Sequence, residues 1–238
     1  MKFGSVIAVI PARGGSKRIP RKNLVEFAGK PLLAWTIDAA VASGIFADII
    51  VSTEDRDIAE TARTLGAKVP FLRVASFDDH SPVSLATIEA VNQYREYAGN
   101  FPDVVVQLLP TCPFRTPKDV ILSVSEFVEK GRELQISCGG FGFQNPWWSL
   151  SLQAGGSGTS LFPNALQERS QDLAQLYCPT GAIWIARTEA LLATGSFYGP
   201  QTCYVPLNWL SSFDIDTVED LKIASILAAG LHQGLPRP

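Results

Sequence analysis

Short apolar runs alternate with helical patterns along the first half of the chain, and this alternation limits the possible folds more than any other feature. Runs rich in β-branched residues lie at 6–10, 49–51 and 104–109, and each precedes a loop and then a helical pattern. Continuous apolar strands are typical of a parallel sheet that helices cover on both faces. We therefore predict an α/β fold with a mostly parallel sheet.

The helical patterns have starts and ends that match ordinary helix boundaries. Pro31 precedes an apolar stripe that ends near Gly44, as expected when proline opens a helix and glycine closes it. The same patterns predict four further helices and two later strands. The helices are at 56–65, 83–97, 117–130 and 217–229, and the strands are at 181–186 and 204–206.

Composition indicates an ordinary globular chain and excludes several other classes. The 238 residues are 46% hydrophobic and carry a formal net charge of −3, which argues against a mostly disordered chain and against a general nucleic-acid surface. No apolar run is long enough to cross a membrane, and the apolar start is too short for a signal peptide. We therefore predict one cytoplasmic domain over residues 1–238, with no membrane contact and no nucleic-acid partner.

The four cysteines do not form a recognisable metal or redox motif. Cys112, Cys138, Cys178 and Cys203 are too far apart for C-x-x-C spacing or for zinc knuckles. We predict four reduced thiols. Cys112 has no histidine near it in the sequence, so thiol catalysis is not expected.

The helical periodicity is lost between residues 141 and 176, a segment that we call the arm. The arm contains NPWW and a glycine- and serine-rich stretch, AGGSGTS. We interpret it as an inserted β-hairpin whose Trp147 and Trp148 bury surface either in the domain's own core or against a second subunit. We favour the second subunit, and therefore a homodimer.

The loop that follows the first predicted strand is basic and contains two glycines. Five of the 20 basic residues lie between Arg13 and Lys22, around Gly14 and Gly15. Ligands bind at the carboxyl ends of strands in open α/β sheets, and glycine backbones with nearby cations suit a polyphosphate. The segment matches neither a Walker A loop nor the dinucleotide motif G-x-G-x-x-G. The alternative is a solvated basic loop.

A pair of carboxylates near the carboxyl end of the chain is the second chemical signal. Asp214 and Asp216 are two residues apart, so they project to the same side of an extended segment. Two such carboxylates suit Mg²⁺, which completes its coordination with water and substrate phosphates. In the alternative, Asp216 is only the N-cap of the last helix, with Glu219 as its capping-box partner.

Two further loops have open interpretations. The segment LPTCPFR follows the third strand and either presents Arg115 to a ligand or serves as a stiff connection. Arg169, Gln171 and Asp172 either hold a hydroxylated or anionic substrate or form a surface connection with local caps.

Taken together, six ordered segments resemble the acylneuraminate cytidylyltransferase family, which makes CMP-sialic acid and related CMP-nonulosonic acids. They cover residues from about 6 to 227 and read IPARGGSKRIPRKN, PLLAWTIDAA, IIVSTED, LPTCPFR, RSQDLAQLY with PTGAIW, and FDIDTVEDL. The resemblance implies a three-layer α/β/α fold like that of the nucleotide-diphospho-sugar transferases, with a dimerisation arm. It also implies transfer of CMP from CTP to an acidic nine-carbon (or related 3-deoxy) keto sugar, with release of pyrophosphate and a need for Mg²⁺.

The resemblance also assigns roles to individual residues. It places Ala12, Arg13, Ser16, Lys17, Lys22 and Asn23 around the phosphates and ribose of CTP, with Lys22 near the α-phosphate and with Arg13 and Lys22 as catalytic cations. It places Arg73 and Ser84 at cytosine, and Arg169 and Gln171 at the sugar. Asp214 and Asp216 match the metal pair, and Asp216 also matches a candidate base.

Two positions depart from the common pattern of this family. Leu109 replaces a glutamine, and Cys178 replaces an arginine. Both positions face the sugar in the family, so the identity of the sugar is open among sialic, legionaminic, pseudaminic and other ulosonic acids. Two other functions are also open, namely a GT-A-type glycosyltransferase, which has a D-x-D pair as well, and a catalytically silent nucleotide-binding protein.

Overall fold

The computed structural model describes residues 4–75, 81–142 and 144–234. The strands, in chain order, are β1 (Val6–Pro11), β2 (Glu26–Phe27), β3 (Lys30–Pro31), β4 (Asp48–Ser52), β5 (Val104–Gln107), β6 (Leu134–Gly140), β7 (Leu150–Leu152), β8 (Gly158–Ser160), β9 (Tyr177–Arg187) and β10 (Thr202–Pro206). The α-helices are α1 (Leu32–Ser43), α2 (Arg56–Thr64), α3 (Val83–Ala98), α4 (Pro117–Glu129), α5 (Thr188–Thr194) and α6 (Val218–His232).

Six strands form the central sheet in the order β10-β6-β9-β5-β1-β4. Strand β1 runs parallel to β4 and β5, and β10 runs parallel to β6. Only β9 in this sheet is antiparallel to its neighbours, β5 and β6. The predicted mostly parallel sheet is therefore confirmed. The strand predicted at 181–186 is longer than expected and begins at the edge where the parallel strands end.

The sheet separates two apolar layers, because successive side chains of a strand point to opposite faces. On one face, Ile10 packs in a cluster with Leu33 of α1 and Val124 of α4. On the other face, Ile7 packs in a cluster with Val91 of α3. This arrangement is the three-layer α/β/α architecture that the resemblance implies.

The predicted boundaries agree with the structure to within a few residues. Helix α1 ends at Gly44, which has a φ of 66° and so adopts the left-handed conformation that glycine tolerates. Helix α4 begins with a capping box between Thr116 and Asp119 and with proline in its first turn. Among the described residues, no helix is long and apolar enough to span a membrane.

The arm contains the expected two-stranded hairpin, formed by β7 and β8, together with three 3₁₀ helices. Trp147 packs edge-on against Phe162 with 5.1 Å between ring centroids, and the Trp148 indole donates to the Ala165 carbonyl at 3.1 Å. Several large apolar side chains of the arm are nevertheless exposed. These are Phe141, Trp148, Leu150, Leu152, Leu161, Phe162 and Leu166.

Candidate active site

The basic loop after β1 is held in place by an acidic turn after β4. The Gly14 N–H donates to Glu54 Oε1 at 2.6 Å, and the Asn23 amide donates to the Arg13 carbonyl at 2.8 Å. A Cβ at Gly14 would lie 2.5 Å from Asp55 Oδ2, so the close approach of the two loops requires glycine. The loop therefore has a defined shape before any ligand binds.

Glu54 also holds Arg73, a residue that the resemblance places at cytosine. The Arg73 guanidinium donates to Glu54 Oε2 at 2.9 Å and is almost entirely buried, while its Nε has no hydrogen-bond partner. The backbone N–H of Arg73 donates to the Thr53 carbonyl at 2.8 Å. The Glu54 carboxylate thus connects the basic loop to Arg73.

Lys22 connects the basic loop to the carboxylate pair. Its ammonium donates to the Ile215 carbonyl at 2.9 Å and to Asp216 Oδ1 at 3.0 Å. Arg18 approaches Asp216 Oδ2 at 3.3 Å. The side chain of Lys22 is 14% exposed whereas that of Asp216 is 49% exposed, so Asp216 is the partner that can exchange its contacts for a ligand.

Asp214 is more deeply placed than Asp216. The Thr111 side chain and the Gly181 N–H lie close enough to its carboxylate to lower its pKa, yet its Oδ1 is buried with no hydrogen-bond partner. Burial raises the pKa of Asp214, and the nearby charge of Asp216 adds to this, whereas Thr111, Lys22 and Gly181 oppose it. A buried carboxylate oxygen that lacks a partner fits a cation ligand.

The capping alternative for Asp216 is wrong. The N-cap of α6 is Thr217, which forms a capping box with Asp220, and Glu219 is not the partner. Asp220 accepts from the Asp216 N–H at 3.0 Å, so the cap fixes the backbone of Asp216 and leaves its carboxylate to Lys22 and Arg18.

These groups surround a cavity of about 560 Å³, which we call the first cavity. It is lined by Pro11, Arg13, Ser16, Lys17, Arg18, Lys22, Asn23, Arg73, Ser81, Val83, Ala86, Leu109, Pro110, Thr111, Asp214 and Asp216. The basic loop and the carboxylate pair, 194 residues apart at Lys22 and Asp216, thus face one space. The solvated-loop alternative does not account for this convergence.

Four of the residues to which the resemblance assigns a role do not line the first cavity. Ala12 is buried in the core, and Ser84 is buried with its hydroxyl accepting from the Phe197 N–H at 3.4 Å. Arg169 and Gln171 lie on the arm, where Arg169 pairs with Asp172 at 2.7 Å. Their roles stay predictions.

A smaller cavity of about 190 Å³, the second cavity, adjoins the first. The two share Asp214, which is the only charged group among the described lining residues of the second cavity. The lining consists of Gly139, Gly140, Cys178, Pro179, Thr180, Trp209, Ser212, Phe213 and Asp214. Trp209 packs edge-on against Phe213 at 5.6 Å, and Phe213 against Phe114 at 6.0 Å, so the aromatic wall is rigidly supported.

The two departures from the family pattern lie at these cavities. Leu109 lines the first cavity and packs on Gly181, where an added Cβ would lie 2.5 Å from Leu109 Cδ1. Cys178 lines the second cavity and is exposed. Cys112, by contrast, is fully buried, and burial raises the pKa of its thiol well above the usual value, which makes it a poor nucleophile.

Two residues that shape the site received no role from the sequence. Glu54 lies two residues beyond the carboxyl end of β4, and that position is the signal that could have identified it. Thr111 lies in the loop after β5, but its hydroxyl contact with Asp214 joins residues that are distant in sequence. No local pattern reveals such a contact.

A mostly parallel α/β sheet, with a basic glycine loop after its first strand and facing carboxylates, is typical of a nucleotidyltransferase. The chain belongs to the cytidylyltransferase family, whose model matches residues 7–222.

Similar proteins agree with this membership over nearly the whole chain. A pseudaminic acid cytidylyltransferase of Campylobacter jejuni is 32% identical over 95% of this chain and 97% of its own length. A CMP-N,N'-diacetyllegionaminic acid synthase of Legionella pneumophila is 36% identical over 93% of this chain and 95% of its own. A CMP:2-keto-3-deoxy-manno-octonic acid synthetase solved with CTP has the same fold, with a TM-score of 0.69 at 18% identity over 97% of this chain and 100% of that one.

Proposed function

We propose that this chain transfers CMP from CTP to the anomeric hydroxyl of an acidic nine-carbon keto sugar and releases pyrophosphate. The observation that carries the proposal is the contact of Lys22 with Asp216 and with the Ile215 carbonyl, which joins the basic loop to the carboxylate pair inside one cavity. The names of the Campylobacter and Legionella relatives support an acceptor of the pseudaminic or legionaminic kind. Sialic acid is a further candidate.

The nucleotide fits the first cavity by charge. Arg13, Lys17 and Lys22 line that cavity, and their positive charge matches the negative charge of a triphosphate. Arg73 lies in the same cavity with an unpartnered Nε, which favours a role at the base. The Ser84 hydroxyl accepts from the Phe197 N–H and keeps its own hydrogen to donate, so this contact does not prevent a role at cytosine.

Asp214 and Asp216 would hold Mg²⁺ together with the substrate phosphates. The unpartnered Oδ1 of Asp214 and the half-exposed carboxylate of Asp216 fit such an ion. Two carboxylates are enough for Mg²⁺, because this ion takes most of its ligands from water and substrate phosphates. When bound, Mg²⁺ neutralises charge on the phosphates and lowers the pKa of a nearby hydroxyl.

The acceptor sugar would enter through the second cavity. Asp214 lines both cavities, so a sugar in the second cavity would lie next to the nucleotide phosphates held in the first. Trp209 offers an apolar ring face to the sugar.

The transfer needs an in-line displacement at the α-phosphorus. The anomeric oxygen forms a bond to this phosphorus while the bond to the bridging oxygen of pyrophosphate breaks and its electrons leave with pyrophosphate. The carboxylate of Asp216 accepts the hydroxyl proton. Lys22 and Arg13 stabilise the charge that develops on the phosphoryl oxygens.

We also propose that the chain works as a homodimer in the cytoplasm. The exposed apolar side chains of the arm support the dimer, and four cysteines without a disulfide support a reducing compartment. Deletion of residues 146–160 should yield monomers in sedimentation velocity. A dimer that survives the deletion would place the interface elsewhere.

A panel of acidic keto sugars tests the proposed function. The protein is incubated with CTP, Mg²⁺ and each sugar, and pyrophosphate release is measured. We expect release with at least one nonulosonic acid. Hydrolysis of a nucleotide-sugar without any pyrophosphate release would favour the glycosyltransferase, and binding of CTP with no turnover of any sugar would favour the silent nucleotide-binding protein.

A further inference from the structure

Arg115 is a buried cation that the proposed reaction does not use directly. It is only 3% exposed, and within the described part of the chain its guanidinium donates only to neutral oxygens. Burial lowers its pKa to about 10, so the side chain is charged at neutral pH. A buried charge without a paired carboxylate is costly, which calls for a structural reason.

The guanidinium of Arg115 bridges two segments that border the cavities. It donates to the Leu109 carbonyl at 3.4 Å and to the Ala182 carbonyl, and its Nη2 donates to the Thr36 hydroxyl at 2.6 Å. Thr36 in turn donates to the Leu109 carbonyl at 3.3 Å. Arg115 thus fixes the loop after β5 and the start of β9 relative to helix α1.

The start of β9 needs this support because its pairing with β6 is interrupted. Trp184 pairs with Ile136 but Pro179 pairs with Cys138, so β9 carries extra residues between these points. The bulge leaves backbone groups without ladder partners. The Ser137 hydroxyl accepts from the Ile183 N–H at 2.9 Å, and Arg115 satisfies the Ala182 carbonyl.

Both segments that Arg115 fixes also approach the carboxylate of Asp214. The loop after β5 contributes the Thr111 side chain and the bulge contributes the Gly181 N–H, and both lie close enough to the Asp214 carboxylate to lower its pKa. The Leu109 N–H donates to the Gly181 carbonyl at 3.1 Å, which joins the two segments directly. The Ile215 N–H donates to the Thr111 carbonyl at 2.8 Å, which ties in the backbone beside Asp214.

We propose that Arg115 is a positioning residue that sets the carboxylate of Asp214 for a divalent cation bound with the nucleotide. This inference rests on the proposed function. Arg115 does not line either cavity, so it acts through the bulge and the loop after β5. Groups that orient a metal ligand through hydrogen bonds commonly change metal affinity when they are lost.

The test compares CTP affinity with and without Mn²⁺, measured by equilibrium dialysis in the absence of sugar. The ratio of the two affinities is the metal enhancement, and electron paramagnetic resonance of free Mn²⁺ gives the bound metal independently. We expect Arg115→Lys to lower the enhancement about tenfold, because one ammonium cannot reproduce the fork of a guanidinium. The affinity of Arg115→Lys for CTP without metal should stay at the wild-type value. The control variant Lys118→Met, on the exposed face of α4, should keep both the wild-type metal enhancement and the wild-type metal-free affinity.

A double variant shows whether Arg115 acts through Asp214. Asp214→Asn should lower the enhancement, and adding Arg115→Lys should lower it no further. An unchanged enhancement in Arg115→Lys, an equal loss of metal-free affinity, or additive losses in the double variant would each overturn the inference. A wild-type protein that binds no CTP, or binds it without metal enhancement, would instead overturn the proposed function itself.

A milder variant keeps the inference testable if Arg115→Lys does not fold, as judged by circular dichroism. Thr36→Val removes one acceptor of the guanidinium at a position outside both cavities and preserves side-chain volume. We expect about a threefold lower metal enhancement, the size of one modest hydrogen bond. Wild-type enhancement in a folded Thr36→Val protein would contradict the role of Arg115.

Discussion

The two cavities that share Asp214 differ in the kind of groups that line them. The first cavity has a basic loop, the buried Arg73 and two carboxylates. The second has an aromatic wall, small residues and a thiol, with Asp214 as its one charged group among the described residues. Charge therefore selects the occupant of the first cavity, whereas shape and apolar contact select the occupant of the second.

This difference explains why the nucleotide is easier to assign than the sugar. A cluster of cations indicates a phosphate ligand on general electrostatic grounds, and the cations of the first cavity's basic loop lie close together in the sequence, where the cluster is easy to recognise. Among its described lining residues the second cavity offers no cation to a sugar carboxylate, and Cys178 cannot replace the arginine that is common in the family.

The largest expected effect is at Lys22, in the first cavity. Lys22→Met should lower kcat about 100-fold, because it removes a positive charge from the place where negative charge develops. The KM for the sugar should change little. Steady-state kinetics with Lys30→Met as a control outside both cavities would check this, and a wild-type kcat in Lys22→Met would remove Lys22 from the catalytic step.

A smaller effect is expected at Lys17, also in the first cavity. Lys17→Ala should weaken CTP binding about tenfold at low salt, as expected for one charged hydrogen bond. The salt dependence of binding should also fall, because fewer cations face the phosphates. Calorimetry at two salt concentrations measures both. Unchanged affinity at low salt would place the triphosphate away from this loop.

The smallest effect is expected at Trp209, in the second cavity. Trp209→Ala should raise the KM for the sugar about fivefold and leave the KM for CTP unchanged, because one aromatic contact is lost. Trp209→Phe should keep most of the affinity, and Tyr97→Ala serves as an exposed aromatic control on α3. Equal increases in both KM values would contradict the separation of the two cavities.

The sequence was sufficient for the architecture and for the basic loop and the carboxylate pair of the first cavity, because their signals are local. The apolar runs ending at Ile10 and Val51 are local signals for buried parallel strands, and the first of them also fixes where the basic loop begins. The carboxylates follow from spacing alone. The N-cap was misassigned by one residue because Asp216 with Glu219 and Thr217 with Asp220 both satisfy a capping box.

The sequence could not reveal the parts that depend on distant contacts. Residues 181–186 look like an ordinary strand, yet a bulge precedes Ile183 and directs Gly181 toward Asp214. The sequence does not decide whether Arg115 contacts a ligand or has a structural role, because its hydrogen-bond partners, Ala182 and Thr36, are 67 and 79 residues away. The structure shows that Arg115 donates hydrogen bonds within the protein to these two residues. Its effect on the position of the Asp214 carboxylate is the proposal made above.

Pyrophosphate release with CTP, Mg²⁺ and pseudaminic or legionaminic acid tests the central claim most directly. The account predicts release that requires both CTP and the sugar, yields the CMP-sugar in equal amount, and is nearly lost in Asp216→Asn. No CMP-sugar from any acidic keto sugar, or full activity of Asp216→Asn, would contradict it.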